Sequence, residues 1–303
     1  MFNHALMGSL MRKAVEPGDY WEQVADFGGT AVRLSSVFVL DGAAYVCGGF
    51  TTTEVVAVWA FDFATGTWSQ KANLPSARQG AVSFSGGGYG YVTTGFRGSS
   101  DLTDTLKYDG QGNTWSSVAN FGGSSRRGAS VFVIDGEAYV CGGTSNPSPY
   151  LADVWAMSFA TETWSQKASL PAGVRYASGC GCGGQGFVIT GRKSTGKTKD
   201  NLRYDAAANG WSVLAAFGGE GRDYSASFVI GNNIYIGTGF AADNTRLKDF
   251  WVYSTIADAW LEKAEFLGTG RIASIGFSDG VHGYIGAGND GTANKNDYYK
   301  YTP

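Results

Sequence analysis

Tryptophans at Trp21, Trp68, Trp115, Trp164, Trp211 and Trp260 stand 47, 47, 49, 47 and 49 residues apart. A period of that length, held along a whole chain, means one supersecondary unit copied in tandem. It replaces the roughly two separate domains that a length of 303 residues would otherwise suggest. A second landmark keeps the same register. Each unit carries an aromatic residue opening a short apolar run that ends in glycine: YVCGG at 45–49, YVTTG at 91–95, YVCGG at 139–143, FVITG at 187–191, YIGTG at 235–239 and YIGAG at 284–288. Seven residues before each aromatic stands another anchor, namely Phe38, Phe84, Phe132, Cys180, Phe228 and Phe277.

Within a unit, short apolar runs alternate with turn signals, the pattern of four strands and not of helices. In the first unit, strand a is expected over Leu34 to Leu40, and Asp41-Gly42 supplies the positive φ of a two-residue hairpin. Strand b follows over Ala43 to Gly49, strand c over Val55 to Asp62, and strand d over Thr67 to Lys71. Four-stranded units repeated at this period point to an all-β, six-bladed β-propeller with antiparallel blades. The composition agrees: 46 glycines serve many tight turns, and a charged fraction of 16% suits sheets covered on both faces.

The ends of the chain predict how the ring closes. The last unit offers strands a, b and c (Ile272 to Phe277, Val281 to Gly288, Asp297 to Tyr301) and stops before a tryptophan, whereas the first segment holds an orphan Trp21. Tyr20 to Ala25 is therefore expected to close the last blade as its strand d, covering an edge that would otherwise be open. This gives two segments: an N-terminal tail at 1–18 and one six-bladed propeller at 19–303. A longer period runs inside the first. FGG recurs at Phe27, Phe121 and Phe217, and a Lys-Ala pair at Lys71, Lys167 and Lys263, so the ring reads as three two-blade units.

The Gly-Gly after YVC, the Asp153-Val154-Trp155 opening of strand c and the tryptophan about nine residues later resemble Kelch repeats over nearly all of residues 19–303. The chain is also similar to the galactose-oxidase-like Kelch chains of Bacteroidetes, with their FGG and DFW runs. In Kelch proteins the arginines just before strand a lie on the face formed by the d–a and b–c loops, where some bind acidic peptides. The resemblance implies that role for Arg33, Arg78, Arg126, Arg175, Arg222 and Arg271. A guanidinium suits it, because its planar fork matches a carboxylate bidentately.

The spacing adds detail. Arg78, Arg126, Arg222 and Arg271 precede their anchor by six residues, but Arg33 and Arg175 by five, and Arg127 shares that place. With a period of two along a strand, one residue of offset turns a side chain toward a different neighbour. Strand c is preceded by Asp104, Asp153, Asp200, Asp249 and Asp297, with Ala57 in the first blade. Either these carboxylates neutralise the arginines within the fold, or the guanidiniums stay free for a ligand. The blade without its Asp directs attention to Arg33 and its neighbour Arg78. The b–c loops vary most, and Phe50, Phe96 and Phe240, beside Tyr150, Arg97, Arg192 and Arg246, have the composition of an interface hot spot. Alternatively, a phenylalanine after Gly-Gly caps its blade.

Several function classes fall away. The two histidines, His4 and His282, sit in the tail and in an a–b turn, so neither a two-histidine copper site nor a Ser-His-Asp or Cys-His site can be assembled. No cofactor and no metal are expected. The four cysteines, Cys47, Cys141, Cys180 and Cys182, offer no second pair and read as buried small hydrophobes. A net charge of −3 argues against nucleic acid, and no apolar run approaches the ~18 residues that span a bilayer. The expected function is a non-enzymatic, monomeric binding or scaffolding module that recognises an acidic protein segment or a small anion. The alternatives are a carbohydrate-active Kelch enzyme of the sialic acid mutarotase type, with Glu54, Glu220 and Asp223 as candidate acid/base groups, and a structural spacer in a surface assembly. The first 18 residues place apolar side chains ahead of Arg12-Lys13, the reverse of a secretory signal, so the compartment stays open between cytoplasm and export after signal removal.

Overall fold

The a–b hairpins show why the units fold as they do. Asp41 and Gly42 have φ of 48° and 77°, and Asp135 and Gly136 have 50° and 78°. Both central residues are in the left-handed region that a tight hairpin following the twist of its strands requires. The computed structural model describes residues 19–303, and the expected tail at 1–18 lies outside them. In the first blade, strands a to d run Ser36–Leu40, Ala43–Cys47, Val58–Asp62 and Thr67–Lys71. They pair in that order, Phe38 opposite Tyr45, Tyr45 opposite Ala60 and Phe61 opposite Trp68. Six such four-stranded sheets form the ring. Strand a starts later than its apolar pattern, because Leu34 lies at φ 56°, and strand b ends earlier, because Gly48 and Gly49 turn the chain at φ 60° and 111°.

The ring closes as the ends of the sequence predict. Tyr20–Val24 pairs antiparallel with Tyr298–Thr302, Trp21 opposite Tyr301, as strand d of the sixth blade. One tryptophan latch repeats around the circle. The indole nitrogens of Trp68, Trp115, Trp164, Trp211 and Trp260 donate to the carbonyls of Ala25, Ala72, Ala119, Ala168 and Ala215 at 2.9–3.2 Å, each binding a strand d to the end of the preceding one.

The core lies between blades. Phe38 stacks on Tyr45 at 5.0 Å, and both pack on Tyr108 of the second blade. The pairs Phe132–Tyr139 and Phe228–Tyr235 repeat this against Tyr204 and Tyr301. The three-unit period is physical. In even blades the residue before the strand-b aromatic is Gly90, Gly186 or Gly283, and a Cβ there would lie 2.2, 2.1 or 1.9 Å from the ring of Phe38, Phe132 or Phe228 in the preceding blade. Odd blades carry Ala44, Ala138 and Ile234 at that place. Strand a of every blade lines a central channel of about 500 Å³.

Candidate functional site

The face built by the d–a and b–c loops begins with a closed circle of backbone. Leu34, Gly80, Gly128, Tyr176, Tyr224 and Ala273 all have φ between 52° and 61°. Each donates its amide to the carbonyl of the one before, and Leu34 donates to Ala273, at 2.7–3.3 Å. This circle frames the channel mouth. The rings of Tyr176 and Tyr224 stack across it with centroids 4.0 Å apart. Tyr176 lies over Gly128, where a Cβ would come within 2.3 Å of its ring. Burial and the Tyr176 phenol push the Tyr224 hydroxyl well above the usual tyrosine range.

Four of the six arginines singled out by the repeat turn inward. Arg78, Arg126, Arg222 and Arg271 are at most 1% exposed. Arg126 grips Asp153 bidentately, Nη1 to Oδ1 at 2.8 Å and Nη2 to Oδ2 at 2.7 Å, and also donates to the Gly142 carbonyl. Arg222 grips Asp249 at 2.7 and 2.6 Å, Arg271 grips Asp297 at 2.6 and 3.0 Å, and Arg78 grips Asp104 at 3.0 and 2.5 Å. Phe121, Phe217 and Phe266 stack under three of these guanidiniums at 4.7, 4.7 and 5.0 Å. Burial alone would raise the carboxyls of Asp153 and Asp297, but the hydrogen bonds and charge of Arg126 and Arg271 override it and hold both below the usual range. In these four blades the guanidinium is engaged by the blade itself. Arg78 therefore leaves the pair of arginines that the sequence marked as free.

The two offset arginines are half-buried and leave the inward position to another residue. In blades one and four the inward position is Val32 and Val174, and Arg33 and Arg175 stand one residue later, bridged by backbone to Phe50 and Arg192. Blade one has lost both partners, with Val32 for arginine and Ala57 for aspartate. Blade four keeps Asp200, which takes Lys193 and the Thr198 hydroxyl instead of an arginine. Among the described residues, Arg33 and Arg175 have no carboxylate partner. Arg33 lies over Phe50 at 5.1 Å, and Arg175 over Tyr150 at 5.0 Å and Tyr176 at 5.9 Å. The Nε of Arg175 is buried without a hydrogen-bond partner.

The loop aromatics thus serve as rests for cations. Arg127 lies over Phe96 at 4.3 Å, and Lys197 and Arg246 lie over Phe240 at 3.7 and 5.5 Å. Such contacts fix the direction of a charged side chain and contribute about 0.5–1 kcal/mol each at exposed sites. Phe50, Phe96 and Phe240 are half-buried, their rings shared between the blade and these cations.

The candidate acid/base groups are not brought together. Glu54, in the first blade, accepts from the Gln79 amide at 2.9 Å. Glu220 is exposed in the loop before the fifth blade, and Asp223 is buried there, 3.4 Å from Lys197. Burial raises the Asp223 carboxyl, and Lys197 opposes that rise. The Lys197–Asp223 pair had no signal in the repeat, because Lys197 sits in a b–c loop of variable length. All four cysteines are buried and unbridged. Burial pushes the Cys180 thiol up to about 12, which leaves it protonated and unreactive at neutral pH. No helix among the described residues is long and apolar enough to cross a membrane.

Comparison with known families places this geometry. Residues 121–278, just over half of the chain, match a family model described as the KLHDC2/KLHL20/DRC7 Kelch-repeats domain, and residues 31–75 match the Kelch motif. No curated protein matches the chain.

Proposed function

Because the chain belongs to the Kelch-repeat family, whose propellers commonly act as protein-binding scaffolds, we propose that it is a non-enzymatic binding module whose loop face recognises a carboxylate-bearing ligand, an acidic protein segment or a small anion. One observation carries this reading. Arg33 and Arg175 project onto the loop face of opposite blades, resting on aromatic rings and unpaired with any carboxylate among the described residues. An unneutralised guanidinium that is already oriented loses little freedom on gripping a carboxylate. The exposed Arg192, whose charge also acts on Asp223, and the half-buried Arg246 make no salt bridge among the described residues and extend the positive field around the channel mouth. The family habit of using the arginines before strand a for acidic peptides thus narrows here from six residues to two.

Mutarotase chemistry gains no support, because Glu54 lies blades away from Glu220 and Asp223, and Asp223 is enclosed beside Lys197. The test is binding of a fluorescein-labelled oligoglutamate peptide, followed by polarisation at two salt concentrations. Binding should weaken with salt and disappear in the Arg33→Glu/Arg175→Glu double variant, with little change in melting temperature. Binding that survives the double variant would overturn the assignment.

A further inference from the structure

A second cleft on the loop face lies away from Arg33 and Arg175, between the b–c loops of the second and third blades. It encloses about 630 Å³, within the range of small-molecule sites. Its floor is an ion pair. Asp101, at the end of the short strand Ser100–Asp101, accepts from Arg127 Nη1 at 2.6 Å, and its side chain is 4% exposed against 33% for Arg127. The other Asp101 oxygen accepts from the Asn146 amide at 3.3 Å, tying the two loops together. Phe96 lies beneath Arg127 and fixes its direction.

Two features define what such a cleft accepts. The first is charge: Asp101 and Arg127 are its charged lining residues and balance each other, so nothing in it selects an ion. The second is a surplus of uncommitted hydrogen-bonding groups. The hydroxyls of Ser99, Ser100, Ser125 and Ser145 and the Asn146 carboxamide line the cleft and have no protein partner among the described residues. Each hydroxyl both donates and accepts, the carboxamide does the same with separate atoms, and Arg127 keeps N–H groups free beyond its bond to Asp101. Pro147 and Pro149 add apolar surface on one wall. Paired donors and acceptors beside a C–H surface, without net charge, match vicinal hydroxyls on a sugar ring.

We propose that this cleft is a binding site for a neutral carbohydrate, with adjacent hydroxyls held by Arg127 and the Asp101 carboxylate and the serine hydroxyls completing the shell. The site is independent of the carboxylate-binding reading at Arg33 and Arg175.

The test is titration of the isotope-labelled protein with D-glucose, D-galactose, D-mannose, N-acetylglucosamine and cellobiose at high millimolar concentration, following backbone amide resonances. At least one probe should shift amides confined to 99–101, 125–127 and 144–149. Ser100 is exposed, so Ser100→Trp fills the cleft without touching the core, and it should weaken that probe at least about tenfold, the effect of ~1.4 kcal/mol. Asp101→Asn should weaken it as well. Arg33→Glu/Arg175→Glu should leave it unchanged even if it abolishes peptide binding. No shifts with any probe, shifts that persist in Ser100→Trp, or loss of sugar binding in the Arg33/Arg175 variant would each overturn the proposal.

Discussion

Trp21 and Ala264 lie 243 residues apart in the chain and share a hydrogen bond of 3.1 Å, from the indole nitrogen to the carbonyl. This is the tryptophan latch of the other five blades, set at the one place where the ring must be closed by its two ends. Trp21 also packs edge-on against Phe250 and Phe266 and tilted against Tyr301, at 4.8, 5.2 and 5.0 Å. Trp21→Ala should therefore cost about 3–5 kcal/mol, as for other buried aromatic truncations. Calorimetric melting measures it. Deleting residues 1–25 removes the whole strand and should lower the melting temperature further; a deletion that melted like the parent would mean that this seam adds nothing to the ring.

Arg126 and Arg33 separate structural from functional arginine. Arg126 is wholly buried and bidentate on Asp153. Arg126→Ala leaves that carboxylate stranded and should destabilise by about 3–5 kcal/mol. Arg33→Ala loses one cation–ring contact with Phe50 and should cost no more than about 1 kcal/mol. Urea unfolding of the two variants measures the contrast. Equal losses would mean that Arg33 is as structural as Arg126.

The fold was legible in the sequence because each anchor does the same physical job six times. The candidate site was legible only where the repeat is broken. The one-residue offset of Arg33 and Arg175 marked them as meeting different neighbours from the other four arginines, since register decides which way a side chain faces. The missing Asp at Ala57 misled in part. It drew attention to Arg78, which pairs with Asp104 of its own blade, whereas the true partner loss at Ala57 is Val32. Arg127 shared the offset place, but its pairing with Asp101 and the Tyr176–Tyr224 stack left no such trace. Both depend on contacts between neighbouring blades, which a period read along one chain does not reveal.

The depressed carboxyls fix the direction of acid sensitivity. Asp153 and Asp297 bind protons less readily in the folded ring than in the unfolded chain. Their stabilisation is present in full above the ordinary aspartate value of about 3.9 and is lost as pH falls from there through the lower folded values. Between those limits the unfolded chain binds more protons, so acid favours unfolding. Melting temperature should be insensitive to these groups at neutral pH and should drop below about pH 4. Asp153→Asn should be less stable at neutral pH and show a shallower acid decline; an unchanged decline would remove this pair from the account.

Gly186 tests whether the two-blade units are a packing device. Its φ lies outside the left-handed region, so the backbone itself tolerates alanine. Replacing glycine at a tolerant position gains about 0.4–1 kcal/mol by restricting the unfolded chain. Against that, a Cβ would sit 2.1 Å from the ring of Phe132, and the stacking of that ring on Tyr139 at 5.0 Å leaves it little room to retreat. Overpacking of this kind costs about 1–3 kcal/mol, so Gly186→Ala should be destabilising on balance. The decisive comparison is a double-mutant cycle with Phe132→Leu, measured by urea unfolding. The smaller side chain should relieve the clash, making the double variant more stable than the sum of the two single losses predicts. Additive losses would show that the ring yields without cost, and the alternation of glycine with Ala44, Ala138 and Ile234 would then need another cause.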